Sequence, residues 1–291
     1  MKKPIKLGLP PDSKIRSSKK ISVANDLQII ESKRYKEAAN YFWRYMDIHK
    51  FLDFLNTTEL SLTRMDLFED PLEGIPLKTL IQFSKDADRD LLTDHKLSEI
   101  IINQKLLDEC SQELRQQIEL VTAIQKSSYV SCWFCSDTES MAMWNLYSNP
   151  DSLAVRFKRN ILIDLTKSAY NKARLQNLTI RSGYCGIVEY QKFDSINYHP
   201  NTNDFKVAKV VFRKEKSYEH ENEFRIIVRI QKTDSPPSQI RLNFESLDHI
   251  GIKFYTHPKM KAWKKANIKR ELDRFALCRK LSDSMITLRN T

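Results

Sequence analysis

Only five of the 291 residues are glycine, at positions 8, 74, 183, 186 and 251. No two are spaced for G-x-G-x-x-G or G-x-x-x-x-G-K-[ST], which excludes a Rossmann fingerprint and a P-loop. A nucleotide would have to be held here without a glycine cradle. Long apolar runs are also missing: no uncharged stretch approaches the roughly 20 residues that span a bilayer. The basic N-terminus has no apolar core of signal-peptide length, so a cytoplasmic location without membrane attachment is expected. Five cysteines (110, 132, 135, 185 and 278) make an odd set that is expected to stay reduced. Cys132 and Cys135 form one isolated C-x-x-C in a strand-like run, where positions three apart face opposite sides. Tetrahedral zinc wants four ligands, and the six histidines show no H-x-x-x-H or H-E-x-x-H spacing. No metal site is expected.

What is present is a folding chain. It is 41% apolar and carries 4 Trp, 11 Tyr and 14 Phe, too much for a disordered protein and enough for one large domain. The formal net charge of +11 points toward nucleic acid, but its distribution weakens that reading. Residues 1–20 carry +6 and residues 259–291 carry +7, leaving −2 for everything between them. The basic ends either contact phosphates or serve as solvated, solubilising segments.

Periodicity predicts the organisation. Residues 1–24, rich in Lys, Pro and Ser, read as a flexible basic arm. A short helix is expected at 33–40 and an aromatic strand at Tyr41–Met46. Asp47 is placed to cap a helix with Ile48, Phe51, Leu52 and Leu55 on one stripe. A strand follows at 60–63, then a turn marked by Asp70-Pro71 and Gly74. In 76–126, Ile100, Leu107, Leu114 and Val121 recur every seven residues, which predicts a helical hairpin inserted in the body. Strands are expected at 130–134, 153–157, 184–190, 224–230 and 250–255. Ser136 and Glu139 read as the capping box of a helix carrying Met141, Trp144 and Tyr147. Helices are expected at 161–175 and 257–282; residues 207–213 fit either state. The division is an arm at 1–24, one domain at 25–258 and a basic C-terminal helix at 259–291 packed on it. Strands interspersed with helices, without regular βαβ spacing, make the fold class α+β: a mixed sheet with surrounding helices and an insertion.

The segment Glu221-Asn-Glu-Phe-Arg225 carries the most chemistry. Period two puts Glu221, Glu223 and Arg225 on one face, opposite apolar Phe224, Ile226 and Val228. They form either a polar platform or a salt-bridge network over an exposed sheet face. Arg44, among Tyr41, Phe42, Trp43 and Tyr45, is placed to stack on rings, to pair with an acid, or to grip a phosphate with its planar fork. Ser131 in an apolar strand reads most simply as a small buried hydroxyl. Arg64, Asp66, Asp70 and Glu73 either fix the turn or line a cleft. Trp133, Trp144 and Tyr147 are core or a stacking platform.

Several ordered pieces together resemble a bacterial family of undefined chemistry linked with abortive infection and phage defence. They are Arg64-x-Asp-x-Phe-Glu-Asp-Pro-x-Glu73, Ser131-Cys-Trp-Phe-Cys-Ser-x-x-Glu-Ser-Met-Ala-Met-Trp-x-x-Tyr147, Lys214, Glu221-x-Glu-x-Arg225, and His257-Pro-Lys-Met260. The resemblance spans about residues 40–262, and the 76–126 segment is not needed for it. The order Arg, Ser, Glu is moreover similar to the ADP-ribosyltransferase pattern. That pattern implies an ADP-ribosyltransferase-like fold, with Glu223 catalytic and Glu221 the first acid of an E-x-E pair. Arg44 and Ser131 match the early arginine and the serine motif, with Tyr45, Trp133 and Arg64 beside them at the NAD site. Ser131 is followed by Cys132 rather than the Thr-Ser common in that superfamily.

The implied chemistry is coherent. Breaking the nicotinamide–ribose bond builds positive charge at the anomeric carbon, which a carboxylate can stabilise. Glu223 would do this, and Glu221 would orient or deprotonate the acceptor. NAD would be a substrate rather than a tightly bound cofactor, and the acceptor nucleic acid or protein. A toxin or effector role would imply an antitoxin or activating partner. Two other classes stay open. Asp66, Asp70, Glu221 and Glu223 could hold Mg²⁺ in a nuclease, with the basic ends on nucleic acid. The chain could instead be a non-catalytic interaction protein working through its 76–126 helices.

Overall fold

The apolar runs assemble into one sheet, described by a computed structural model for residues 26–77, 80–81, 91–176, 179–192 and 210–286. The 1–24 arm lies outside the described residues. The strands are β1 (Gln28–Ile30), β2 (Tyr41–Met46), β3 (Glu59–Arg64), β4 (Ser128–Cys135), β5 (Leu153–Lys158), β6 (Ile180–Ile187), β7 (Glu189–Gln191), β8 (Arg213–Glu215), β9 (Glu223–Ile230), β10 (Gln239–Asn243), β11 (Ile252–Thr256) and β12 (Leu281–Ser282). The main sheet runs β1-β6-β9-β4-β2-β5-β11-β12, with β3 joining β4 to β10; β7 and β8 form a separate parallel pair. Its centre is antiparallel, and parallel pairs occur at β1–β6 and β11–β12. With helices around this mixed sheet, the fold is α+β.

The helices are α1 (Lys33–Lys36), α2 (Ile48–Thr57), α3 (Asp94–Ile102), α4 (Gln104–Glu109), α5 (Gln112–Lys126), α6 (Met141–Tyr147), α7 (Arg159–Gln176) and α8 (Ala262–Asp273). Asp47 caps α2 as its spacing predicts, accepting from the Lys50 N–H at 2.9 Å, and Phe51 and Leu55 bury the stripe. Phe42, Phe157, Phe224 and Ile226 lie in the main core, where the Phe42 and Phe224 rings stack at 4.0 Å.

Four expectations are corrected. The heptad set Ile100, Leu107, Leu114 and Val121 does converge on one apolar cluster, but from three short helices, because Asn103 and Ser111 cap fresh starts where a hairpin would run on. The cap of α6 is Ser140, whose hydroxyl accepts from the Met143 N–H at 3.3 Å. Glu139 is freed from the expected capping box and accepts instead from Trp144 Nε1 and from Ser284 and Met285 near the C-terminus. The expected 257–282 helix is shorter: α8 ends at Asp273, Ala276 turns left-handed at φ 56°, and the chain returns as β12. Finally, the polar face of β9 is not exposed, since all eight of its residues are buried. Met65, Val211 and Phe212 close over Ile227 and Val130 on that side.

Candidate functional site

The sheet is split beside its middle strand. Along one edge of β4, Phe134 and Cys135 pair with Trp43 and Phe42 of β2, whereas Val130 and Tyr129 pair with Thr63 and Arg64 of β3. Between them, Ser131, Cys132 and Trp133 pair only with β9. Strands β2 and β3 thus diverge from β4 and leave a fork. Cross-strand partners share a face, so Trp43, Phe134 and Glu223 lie on one side of the sheet. Arg44, next to Trp43, lies on the other side with Ser131 and Trp133. The fork lets one cavity reach both sides. It opens into a cleft of about 630 Å³ lined by Arg44, Tyr45, Trp133, Glu221 and Glu223, together with Glu73, Cys132, Tyr147, Lys214 and Tyr218. A smaller cavity of about 250 Å³ adjoins it and shares Arg44, Tyr45, Thr63 and Trp133.

Arg44 is held but not neutralised. Its Nη1 donates to Ser131 Oγ at 3.0 Å and to the Ser61 carbonyl at 3.4 Å, and the guanidinium sits 5.8 Å from the Trp133 ring. Among the described residues no carboxylate pairs with it. Burial draws its pKa below the ordinary arginine value, as for a desolvated cation without a counter-charge. The buried Ser131 hydroxyl also accepts from Trp133 Nε1 at 3.1 Å, which fixes the ring and the guanidinium against each other. Ser131 does not itself line the cleft; its contact with the site runs through Arg44 and Trp133. Tyr45 is pinned at the rim, its hydroxyl accepting from the Ser140 N–H at 3.0 Å.

Opposite lies a cluster of buried charges. Arg225, with 0% exposure, donates through Nε to Glu223 at 2.6 Å, through Nη1 to the Val211 carbonyl at 2.7 Å, and through Nη2 to Glu73 at 2.6 Å. Lys214 Nζ stands among three carboxylates: Glu221 at 2.6 Å, Glu223 at 3.2 Å and Glu73 at 3.5 Å. Glu221 is not on the strand as period two would have it. It ends a 3₁₀ turn, and the left-handed Asn222 (φ 38°) swings it back beside Glu223. The Tyr147 hydroxyl donates to its other oxygen at 2.8 Å.

The two acids titrate apart. Burial, then the hydrogen bond and negative charge of Glu223, raise Glu221 to about 7 against the pull of Lys214. Burial alone would raise Glu223 as well, but Arg225, the proton of Glu221 and Lys214 overcome it and hold the group well below the ordinary carboxylate range. For Lys214 the lowering by burial is reversed by Glu223 and Glu73, with the Glu221 hydrogen bond adding to them. At neutral pH the cleft therefore holds a permanent carboxylate beside one poised to exchange a proton.

Of the seven residues singled out from the sequence, Arg44, Tyr45, Trp133, Glu221 and Glu223 line this cleft and Ser131 supports it. Arg64 does not line it: it bonds Asp66 at 2.6 Å and the Pro236 and Pro237 carbonyls, tying β3 to the β9–β10 connection. Asp66 is thereby committed, whereas Asp70 does both things open to it: it caps its own turn by accepting from the Leu72 N–H, and it lines the cleft. Glu73, expected to fix the turn or line a cleft, lines it; Lys214, visible only as a motif position, is the partner that sequence reasoning missed. A strand bearing two acids and one arginine in an apolar setting needs a further cation to be buried, and that was the available signal. Among the described residues no three His, Cys, Asp or Glu side chains are grouped to hold a metal; the ammonium of Lys214 fills the space between the carboxylates. No family model, no curated protein and no solved structure matches the chain.

Proposed function

We propose that the forked cleft binds NAD and that the protein is an ADP-ribosyltransferase-like enzyme. One observation supports this most: an arginine without a counter-charge and a carboxylate pair with divergent proton affinities face one cavity of ligand size. Arg44 takes the pyrophosphate, with the adjoining cavity available to the adenosine half and Trp133 as an apolar wall. Glu223, fixed in its ionised state, lies against the nicotinamide ribose. As the C1′–N bond breaks, its electron pair leaves with neutral nicotinamide, and the positive charge on the ribose is stabilised by that carboxylate. The acceptor's lone pair forms the new bond to C1′, and Glu221 takes the acceptor's proton. Activity as an effector in phage defence, restrained by a partner protein, belongs to the same proposal. The nuclease reading is weaker, because Asp66 is committed to Arg64 and both Glu221 and Glu223 hold Lys214, which leaves Asp70 as the one acid of the four at the cleft without a cation partner among the described residues.

The test is release of nicotinamide from labelled NAD, and transfer of the ADP-ribose label to cell extract. Wild type should do both. Glu221→Gln should lower turnover by about 10²–10⁴-fold, the ordinary contribution of a general base. Full turnover by that variant, or no NAD consumption by wild type, overturns the reading. Glu223→Gln is the poorer probe, since it unbalances a buried ion cluster and costs about 3–5 kcal/mol of stability.

A further inference from the structure

Helix α8 has two faces. Ile268 and Leu272 bury one of them against the body. At 100° per residue, the line opposite runs through Trp263, Asn267, Arg270 and Arg274, all exposed. Trp263 is 61% exposed, although a tryptophan of that size is costly to leave in water. Lys264 lies 5.4 Å from its ring. Lys259 and Lys261 precede the helix and Lys269 flanks the line, all exposed. Some of the local charge is already neutralised: Lys264 bonds Asp151, Lys265 bonds Asp283, and Arg274 bonds Glu271. Lys259, Lys261, Lys269 and Arg270 pair with no carboxylate among the described residues.

We propose that this outer face of α8 binds single-stranded nucleic acid. The unpaired cations supply a phosphate track, and Trp263 supplies the π-face on which a base stacks; together these are the minimum of a sequence-tolerant strand binder. A membrane surface fits less well. An interfacial helix needs a broad apolar face to sink into lipid, and here the apolar side of α8 is already buried in the protein. The face is also tied to the cleft. His257, just ahead of α8, packs edge-on against Trp144 at 5.0 Å, and Tyr147, one turn further along the same helix α6, bonds Glu221. Binding on α8 does not depend on the chemistry proposed for the cleft.

The experiment measures anisotropy of a labelled single strand of about 20 nucleotides, DNA and RNA in turn, with the full-length chain across a salt series. Binding should weaken steeply with salt. Trp263→Ala should weaken it about tenfold or more at fixed salt. The triple variant Lys259→Gln/Lys261→Gln/Arg270→Gln should flatten the log–log salt slope by about 2. All these positions are exposed, so circular dichroism should show unchanged folding. The N-terminal arm is present in every protein compared, so binding left intact in both variants would assign it to the arm and overturn the proposal. Absence of strand binding, or Trp263-dependent capture by anionic phosphatidylserine vesicles without strand binding, would overturn it too.

Discussion

Glu221 and Glu223 are two positions apart, yet their proton affinities move in opposite directions, and each direction has a consequence. Glu221 is raised from 4.5 to about 7, so it favours the folded state while protonated and loses that contribution as pH climbs through 7. Glu223 is lowered, so it contributes above its ordinary range and loses the contribution in acid. Glu221→Gln should therefore match wild type at pH 5 and become relatively more stable at pH 8, read from thermal unfolding across that range. A variant that loses ground as pH rises would show that Lys214 outweighs burial. As a base, Glu221 should give a kcat/KM that rises through about pH 7. Tyr147→Phe removes a donor to its ionised form, and should move that midpoint up by less than about one unit. Arg44→Met should raise the KM for NAD at least tenfold with stability unchanged or improved, because a desolvated cation without a counter-charge is replaced by an apolar chain. A marked fall in Tm in that variant would make Arg44 a structural residue instead.

At the scale of elements, what was legible is what local chemistry determines. Asp47 before an i, i+3, i+4, i+7 stripe places α2, and alternation over Phe224–Ile230 places β9. The fork was not legible. It depends on which edge β2 and β3 take along β4, and no residue of Ser131–Trp133 announces that its neighbour has turned away. Burial of the acidic face of β9 was hidden for the same reason, since the cover comes from Met65, Glu73 and Val211, distant in sequence. The capping error at α6 is instructive: Ser136-x-x-Glu139 matches the box, but Ser140 is one residue from the helix and Ser136 is five. Ser140→Ala should cost about 1 kcal/mol. Ser136→Ala, whose hydroxyl serves only a local turn to the Thr138 N–H, should cost about half of that or less. Equal losses in urea unfolding would reinstate the sequence reading.

For the whole molecule the question is whether helices α3, α4 and α5 are an appendage. They build an apolar cluster, joined by Ile75 and Val210 from outside the 76–126 segment, in which Leu97, Leu114 and Ile118 are fully buried. Yet α5 ends against the site. The buried Gln125 side chain donates to the Pro71 carbonyl at 2.9 Å and to the Glu73 carbonyl at 2.8 Å, holding the turn whose Glu73 carboxylate receives Arg225. Helix α5 then runs into β4, the strand that bears Ser131 and Trp133. The helices therefore brace the cleft wall, and their unfolding should not separate from that of the sheet. Calorimetry should show one cooperative transition. Leu114→Ala, costing about 2–5 kcal/mol by cavity formation, should lower it as a unit. Gln125→Ala strands two carbonyls that α5 had satisfied, and should cost about 1–3 kcal/mol while opening a low-temperature shoulder as the helices come loose. NAD affinity should fall with it, because the Glu73 turn is the wall that Gln125 holds. Two resolved transitions in the wild type would show that the cluster built by α3–α5 melts on its own, and would reduce Gln125 to a local contact.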